Sequence, residues 1–322
     1  MFFQIEAAAL VPPSRLQQYN SLLSVCGLKN ENDADYTALL FDGDKLVACG
    51  SLKGNILKQI AVDKEAEGSG ACASIVSTLI TEAYARGFSH LFLFTKPEHE
   101  RLFTSLGFFS VCKTDKALMM ENNRNGVNSF INGIPKYSGN NGCVICNCDP
   151  MTRGHLHLIK YAASHCDHLY VFVVSENGSM FPPHVRYTFV KNAVASLENV
   201  SVHQSGAYII SKATFPTYFI RSDSAAEDAW MDIDITIFAQ SIAPALGINK
   251  RFVGEEPFSV VTNKYNQRMK ELLAKFGIEL IEIPRLDSIS ASKVRKLLAD
   301  GDVDGIQPLV NDEVYAYCKD RA

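Results

Sequence analysis

The feature of this sequence that most constrains its fold is an alternation of short apolar runs and helical patterns over residues 142–322. Short runs rich in β-branched and aromatic residues predict buried strands, and apolar residues at helical spacing predict helices between them. The predicted order is strand 144–147, helix 155–165, strand 169–174, helix 184–196, strand 200–203, helix 229–245, strand 251–253, helix 264–276, strand 279–283 and helix 291–299. This alternation predicts a Rossmann-like, doubly wound parallel sheet that binds ligands at the carboxyl ends of its strands.

A second α/β domain is predicted ahead of this sheet. Residues 36–52 have the pattern of a β-hairpin with a turn at Asp42-Gly43, and strands at 58–62 and 91–94 flank a helix over 71–85. An Asn/Gly-rich stretch then indicates a linker. We therefore predict an N-terminal domain over 1–122, a linker over 123–141 and a second domain over 142–322.

Composition and charge exclude several classes of protein. The chain has 322 residues, enough for two cores, and its net charge of −4 argues against general affinity for nucleic acid or anionic membranes. The N-terminus carries Glu6 where an export signal needs basic residues, and no apolar run approaches the roughly 20 residues of a membrane span. Nine cysteines, an odd number, are typical of a reducing compartment. We expect a cytoplasmic protein that binds neither nucleic acid nor membrane.

Two groups of potential metal ligands have simpler explanations. Cys143, Cys146 and Cys148 have no second Cys/His pair at zinc-finger spacing, and buried thiols are common in cores. Asp232 and Asp234 are two apart on a predicted helix, so their side chains diverge and we expect a solvated face. We predict no metal site built from protein side chains.

The segment 147–155, Asn-Cys-Asp-Pro-Met-Thr-Arg-Gly-His, follows the apolar run 142–146 and leads into a helical pattern. A helix N-terminus favours an anion, because it offers free N–H groups and the positive end of the helix dipole. Thr152 and His155 share a face of the first turn, and Gly154 lets a phosphate approach the backbone. We predict that His155 donates to the α-phosphate oxygens during nucleotidyl transfer and that Thr152 contacts the triphosphate.

The segment 289–295, Ile-Ser-Ala-Ser-Lys-Val-Arg, begins a second helix near the C-terminus. Ser290 can cap this helix, and Ser292 adds a hydroxyl group in its first turn. Arg295 follows Ser292 by three residues, and a guanidinium can clamp phosphate oxygens with two parallel hydrogen bonds. Either motif alone can be a capped surface helix, but the pair, each after a predicted strand, indicates nucleotidyl transfer.

The two motifs together resemble those of the HxGH-type nucleotidyltransferase superfamily, with Thr152 where some members have histidine. Residues 141–318 more closely resemble the citrate lyase ligase family. The segments that carry this resemblance are 149–155, 169–174, 208–216, 243–248, 251–258 and 289–295. The segment 208–216, Tyr-Ile-Ile-Ser-Lys-Ala-Thr-Phe-Pro, is not shared by nucleotidyltransferases in general, so it favours the narrower family.

This resemblance implies an ATP-dependent acid–thiol ligase. Such an enzyme adenylates acetate, releases pyrophosphate and passes the acetyl group to the thiol of the dephospho-CoA-derived arm on the acyl-carrier subunit of citrate lyase. ATP and Mg²⁺ are then the expected cofactors, since Mg²⁺ neutralises the triphosphate during the displacement. Two alternatives stay open: an adenylyltransferase acting on a small molecule such as phosphopantetheine, and a non-catalytic protein that binds the acyl carrier.

The resemblance also implies a set of site residues. The expected catalytic and phosphate-binding residues are Asn147, Asp149, Pro150, Thr152, Gly154, His155, Arg186, Gly254, Glu255, Ser290, Ser292 and Arg295. Arg186 can clamp phosphate or pair with an acid, and Gly254 and Glu255 follow a strand where such folds bind the base or ribose. Lys212 and Thr214 are candidates for contact with the acyl group or a phosphate.

Residues 1–120 resemble the Gly-rich N-acetyltransferase family, which implies an α/β fold with a turn that holds the pyrophosphate of coenzyme A. The corresponding turn keeps Gly68 and Gly70 but has Glu65 and Glu67 where basic or neutral residues would help. We expect this domain to help dock the prosthetic arm or the carrier protein, and not to transfer acetyl from acetyl-CoA. The structural alternative is that the glycines only form a tight turn.

Overall fold

The computed structural model describes residues 3–175, 179–210, 215–220, 222–255, 260–286 and 289–321. The chain divides into two compact units, unit 1 (Met1–Gly126 and Phe215–Ile233) and unit 2 (Val127–Thr214 and Asp234–Ala322). Unit 1 therefore contains a segment from the second half of the sequence, Phe215–Ile233, which we call the returning segment. The predicted boundaries 1–122, 123–141 and 142–322 take no account of it.

Unit 1 is built around a seven-stranded sheet. Its elements are β1 (Phe3–Ala8), α1 (Pro13–Val25), β2 (Tyr36–Asp42), β3 (Lys45–Lys53), β4 (Ile56–Val62), α2 (Ala71–Ala85), β5 (Phe92–Thr95), α3 (Glu100–Ser105), β6 (Phe109–Lys113) and β7 (Leu118–Glu121). The strand order is β1-β2-β3-β4-β5-β7-β6, and only the β4–β5 pair is parallel. This mixed sheet with its helices confirms the α/β fold predicted for the N-terminal domain, and the predicted hairpin is β2–β3.

The sheet of unit 1 buries apolar residues on both faces. Ile75 and Leu79 of α2 pack on one face with Leu40 and Leu57, because apolar residues four apart share one side of a helix. Tyr19 and other apolar residues of α1 pack on the opposite face. The two helices thus cover alternate side chains of the same strands.

The returning segment is held where β4 and β5 separate. The register between these strands covers only Ile56–Phe92 and Leu57–Leu93. Beyond it, the Tyr218 hydroxyl donates to the Phe94 carbonyl and hydrogen-bonds the Gln59 backbone, so it bridges the diverging strands. Phe215, Tyr218 and Phe219 are buried, so the returning segment contributes to the core of unit 1.

Unit 2 is built around a five-stranded sheet in which every pair is parallel, with order β10-β9-β8-β11-β12. Its elements are α4 (Gly126–Asn132), β8 (Asn141–Cys146), α5 (Arg153–Ala163), β9 (His168–Val173), α6 (Pro183–Ala193), β10 (Val200–Gln204), α8 (Ala243–Leu246), β11 (Ile248–Gly254), α9 (Val260–Ala274), β12 (Glu279–Ile283), α10 (Ala291–Ala299) and α11 (Asp312–Lys319). Helix α7 (Asp223–Ile237) begins in unit 1 and ends in unit 2. This sheet confirms the predicted doubly wound fold.

One predicted helix and one predicted exposure differ from the structure. The helix over 229–245 is instead α7, a π-helical turn at Phe238–Ile242 and α8. The expected solvated face at Asp232 and Asp234 is wrong, because both side chains are buried. Asp234 accepts hydrogen bonds from the Ile210 N–H (2.8 Å) and the Tyr265 hydroxyl, which compensate for its lost hydration.

Candidate active site

The loop after β8 begins at the centre of the parallel sheet of unit 2. The chain continues from β8 to β9 on one side, whereas β11 pairs with β8 on the other. The strand order therefore reverses between β8 and β11, and ligands in such sheets bind beyond the carboxyl ends of the strands at that point. Residues 147–155 follow β8, and Gly254 is the last residue of β11.

Thr152 and His155 form a reciprocal cap at the start of α5. The His155 N–H donates to Thr152 Oγ1 (3.3 Å), and the Thr152 N–H donates to His155 Nδ1 (3.1 Å). Because a backbone N–H can only donate, Nδ1 must accept, and the neutral ring carries its proton on Nε2. His155 is therefore fixed by the backbone with one nitrogen left to donate to a ligand.

The protonation state of His155 agrees with this geometry. Burial, together with the positive charges of Arg285 and Arg295, lowers the pKa of His155 to about 4. The imidazole is therefore neutral near pH 7. It can donate a hydrogen bond to a phosphate oxygen from Nε2 without breaking the cap at Nδ1.

The second motif caps α10 and contacts the first motif. Ser290 Oγ accepts from the Lys293 N–H (3.1 Å), as predicted for an N-cap. Arg295 donates to Ser292 Oγ (3.2 Å) and to the backbone carbonyl of Asp149. A methyl group at Gly154 would meet the Ile289 carbonyl at 3.6 Å, so the two helix starts lie side by side.

A cavity of 290 Å³ lies between these two helix starts. Its lining includes Thr152, Gly154, His155, His157, Gly254, Thr262, Arg285, Ser290 and Ser292. Among the lining residues that the structure describes, there is no carboxylate and Arg285 is the only permanently charged side chain. Two helix N-termini and a guanidinium around one cavity favour an anion such as phosphate.

Arg186 and Asp149 lie beside the cavity and hydrogen-bond the loops around it. Arg186 is fully buried and donates to the carbonyls of Asn147 (2.8 Å), Val174 (2.8 Å) and Phe181 (3.0 Å). The Asp149 carboxylate accepts from the Phe181 N–H (2.8 Å) and lies 3.7 Å from Arg295. These contacts hold together the chain after β8 and after β9, which favours a positioning role for both residues.

Gly254, at the end of β11, lines the cavity, and Glu255 follows it in the chain. A methyl group at Gly254 would meet no atom within 4 Å, so space is open at its α-carbon. The Glu255 N–H donates to the Ile283 carbonyl (2.9 Å), and the Glu255 carbonyl accepts from Arg285 Nε (2.9 Å). The carboxyl ends of β11 and β12 are thus joined by these contacts.

Six of the twelve predicted catalytic and phosphate-binding residues line the cavity, namely Thr152, Gly154, His155, Gly254, Ser290 and Ser292. The other six are not in its lining, namely Asn147, Asp149, Pro150, Arg186, Glu255 and Arg295. Lys212 and Thr214 lie outside the described residues. His157 lies two positions after His155, a spacing of roughly 200° around a helix that predicts a different face, yet it also lines the cavity. Arg285 was missed because it belongs to neither motif, although its place directly after strand 279–283 could have marked it.

Unit 1 has a second and larger cavity, of 530 Å³. Its lining includes Ile60, Val62, Gly68, Cys72, Lys96, His99, Phe103, Tyr218 and Phe219. Gly68 and Gly70 both have positive φ values, 76° and 88°, which explains glycine at these positions of the turn before α2. Glu67 also lines this cavity.

Among the residues that the structure describes, no group of three or more His, Cys, Asp or Glu side chains is arranged to hold a metal ion. No helix within those residues has the length and apolar character needed to cross a membrane.

Comparison with known proteins gives matches over both halves of the sequence. The family model described as "Citrate lyase ligase C-terminal domain" matches residues 141–318. The chain is 40% identical to the citrate (pro-3S)-lyase ligase of Escherichia coli K12. The alignment covers 88% of this chain and 85% of that protein. It is also 33% identical to a phosphopantetheine adenylyltransferase of Streptococcus gordonii. That alignment covers 30% of this chain and 63% of the other protein. A crystal structure of Escherichia coli ElaA aligns over 38% of this chain and 100% of that chain, with 14% identity and a TM-score of 0.34.

Proposed function

The chain belongs to the citrate lyase ligase family, and from that premise we propose that it activates citrate lyase by ATP-dependent acetylation. The acceptor is the thiol of the dephospho-CoA-derived arm on the acyl-carrier subunit of the lyase. The observation that supports this most directly is the cavity between α5 and α10. Its lining includes residues from the N-termini of both helices, the neutral donor His155 and Arg285.

The first step is adenylation of acetate. An acetate oxygen attacks the α-phosphorus of ATP, the bond from that phosphorus to the bridging oxygen breaks, and pyrophosphate leaves. Negative charge builds on the α-phosphate oxygens, where His155 Nε2 donates a hydrogen bond. Thr152, Gly154, Ser290, Ser292 and Arg295 bind the phosphates, with Asn147, Asp149, Pro150 and Arg186 shaping the loop. Gly254 and Glu255 face the base or ribose.

The second step is transfer to the thiol. The sulfur attacks the acetyl carbonyl, the bond from that carbon to the AMP oxygen breaks, and the thiol proton passes to solvent. AMP is a far better leaving group than the oxide of free acetate, which is why ATP is consumed first. Mg²⁺, the expected partner of ATP, would be bound mainly by phosphate oxygens and water, since the described lining offers no carboxylate.

The test is to incubate the protein with ATP, acetate and Mg²⁺, with and without deacetylated citrate lyase. Without the lyase we expect pyrophosphate release only as acetyl-AMP forms, and with the lyase we expect continued pyrophosphate release, AMP formation and recovery of lyase activity. Pyrophosphate release with phosphopantetheine instead of acetate would indicate the adenylyltransferase alternative. Binding of the lyase without any nucleotide turnover would indicate the non-catalytic alternative.

We further propose that unit 1 docks the prosthetic arm. Gly68 of the turn before α2 lines the 530 Å³ cavity, whose lining is partly apolar and includes Lys96. Cys72→Phe should fill this cavity, whereas Ala73→Phe, on an exposed position of the same helix, should not. Both variants should form acetyl-AMP normally, and only Cys72→Phe should acetylate the lyase slowly. Equal acetylation by both variants would make unit 1 a structural remnant.

Two expectations remain predictions. The cytoplasmic location is supported by nine cysteines, each of them a free thiol in the structure. The contacts of Lys212 and Thr214 with the acyl group or a phosphate are supported only by their place in the family-specific segment.

A further inference from the structure

Arg285 occupies a distinct place at the phosphate cavity of unit 2. It follows β12 by two residues and lies ahead of the cap of α10, on the same cavity wall as Ile289 and Ser290. Of the described residues that line this cavity, it alone carries a permanent positive charge. An anion bound in this cavity would therefore lie beside the side chain of Arg285.

The backbone holds Arg285 in this position. Its Nε donates to the Glu255 carbonyl at 2.9 Å, and the Glu255 N–H donates to the Ile283 carbonyl at 2.9 Å. Gly254 pairs with Ile283 in the parallel register of β11 and β12. The guanidinium is therefore anchored at two adjacent strand ends, and less side-chain entropy is lost when it binds a ligand.

Arg295 has different surroundings. It donates to the Asp149 carbonyl and to Ser292, lies 3.7 Å from the Asp149 carboxylate, and does not line the cavity. The lowered pKa of His155 supports the same distinction, since the charge of Arg285 contributes more to it than the charge of Arg295. Both arginines are close enough to His155 to lower its pKa, but only Arg285 is among the residues that line the cavity.

We propose that Arg285 binds the triphosphate of ATP directly, as a second guanidinium beside Arg295 and opposite the N-terminus of α5. This inference rests on the proposed function insofar as ATP is the ligand. Arg285, which follows β12, donates hydrogen bonds to negatively charged oxygens of ATP. The backbone N–H groups at the N-termini of α5 and α10 donate to the phosphates as well. Arg295 then holds the Asp149 loop in addition to any phosphate contact.

The first experiment measures ATP binding by calorimetry, without acetate or lyase, for the wild-type protein, Arg285→Gln, Arg285→Lys and a control. The control is Arg268→Gln, an exposed arginine of α9 that pairs with Glu271. We expect Arg285→Gln to weaken ATP binding on the order of ten-fold or more, Arg285→Lys to weaken it less, and the control to leave it unchanged. Wild-type affinity in a folded Arg285→Gln protein would overturn the proposal.

The second experiment follows the His155 ring by NMR during a pH titration of the protein without ligand. Removal of a nearby positive charge makes protonation easier, so Arg285→Gln should raise the pKa of His155 from its value of about 4. Arg295→Gln should raise it less. An unchanged titration in Arg285→Gln would show that the guanidinium lies away from the cavity.

These two measurements separate the proposal from the overall function. If wild-type protein binds ATP but does not adenylate acetate, the proposed function fails and the role of Arg285 can still be tested. If Arg285→Gln only lowers the melting temperature and binds ATP normally, the residue serves only to join β11 and β12. If Arg285→Gln fails to fold, Arg285→Lys still tests the proposal, because lysine keeps the positive charge but lacks the planar guanidinium.

Discussion

The two units each contain a glycine-bearing turn that leads from a strand into a helix, and the two turns differ in their electrostatic surroundings. In unit 1, Gly70 precedes α2 with a φ of 88° and provides no side-chain cap. In unit 2, Thr152 precedes α5 and is capped reciprocally with His155. Both helices present free N–H groups, yet only the second turn has a side-chain donor beside them.

The charged side chains near the two turns also differ in sign. Glu65 and Glu67 flank the turn of unit 1, where Lys45 is paired with Asp63 (3.1 Å) and Glu65 (2.8 Å). The turn of unit 2 has Arg285 and Arg295 near His155. A helix N-terminus alone is therefore a weak guide to phosphate binding, because the neighbouring side chains decide whether an anion is attracted.

The largest expected effect is at His155. His155→Ala removes the Nε2 donor from the site where charge develops, so turnover should fall by on the order of 100-fold or more, with little change in ATP affinity. Steady-state rates and equilibrium ATP binding check this. His165→Ala, an exposed histidine just after α5, is the matched control and should keep normal turnover. Near-normal turnover of His155→Ala would remove this residue from the mechanism.

The next effect is at Arg295. Lysine keeps the charge but cannot donate to the Asp149 carbonyl and to Ser292 with one planar group, so Arg295→Lys should lower kcat/KM for ATP roughly ten-fold. Arg268→Lys serves as the exposed control. If Arg295→Lys is as active as the wild type, only a point charge is needed there and the planar clamp is wrong.

A third test compares how each of the two turns contributes to the pH dependence of the free energy of unfolding. The folded protein holds His155 with a pKa of about 4, below its usual 6.5, so the unfolded chain binds more protons between these values. The free energy of unfolding should therefore fall as pH decreases from 6.5 to 4, and His155→Gln should reduce that dependence. At the unit 1 turn, the Glu65 N–H and Lys45 lower the pKa of Asp63 below 3.8. The stabilisation of the folded protein by the Asp63 carboxylate is therefore lost only at still lower pH. Denaturant titrations at several pH values measure both.

The smallest effect is expected at the acidic turn of unit 1. Glu67→Gln removes an exposed negative charge from the cavity mouth, so the apparent KM for deacetylated lyase should decrease by a factor of about two to five. Glu279→Gln, exposed in unit 2, should not change it. An increased KM for Glu67→Gln would mean that the carboxylate itself binds the arm or the carrier.

Local patterns in the sequence predicted the order of elements well. Strand 279–283 and helix 291–299 match β12 and α10, and helix 71–85 matches α2. These succeed because hydrophobic periodicity and capping residues act over a few positions. Ser290 was predicted as a cap for the same reason, whereas Thr152 was predicted as a phosphate contact and its reciprocal cap with His155 was not predicted; both residues line the cavity.

Features that depend on distant parts of the chain were not predictable. Asp234 is buried because Ile210 and Tyr265 supply its hydrogen bonds, and no spacing in the sequence indicates these partners. Arg285 reaches the cavity because β12 pairs beside β11. The returning segment is tied to unit 1 by Glu31, which accepts from the Thr217 hydroxyl, and by Phe94, whose carbonyl accepts from the Tyr218 hydroxyl, and both partners lie more than a hundred positions away.

The returning segment has a consequence for how a cell makes this protein. When Gly126 leaves the ribosome, unit 1 still lacks residues Phe215–Ile233, and the gap where β4 and β5 diverge has no Tyr218 to bridge it. At about 5–20 residues per second, synthesis of the missing stretch takes roughly 5–20 s. Unit 1 therefore cannot complete its core during translation before much of unit 2 has also been made. We expect nascent chains that stall between these points to be sensitive to proteases and to depend on chaperones.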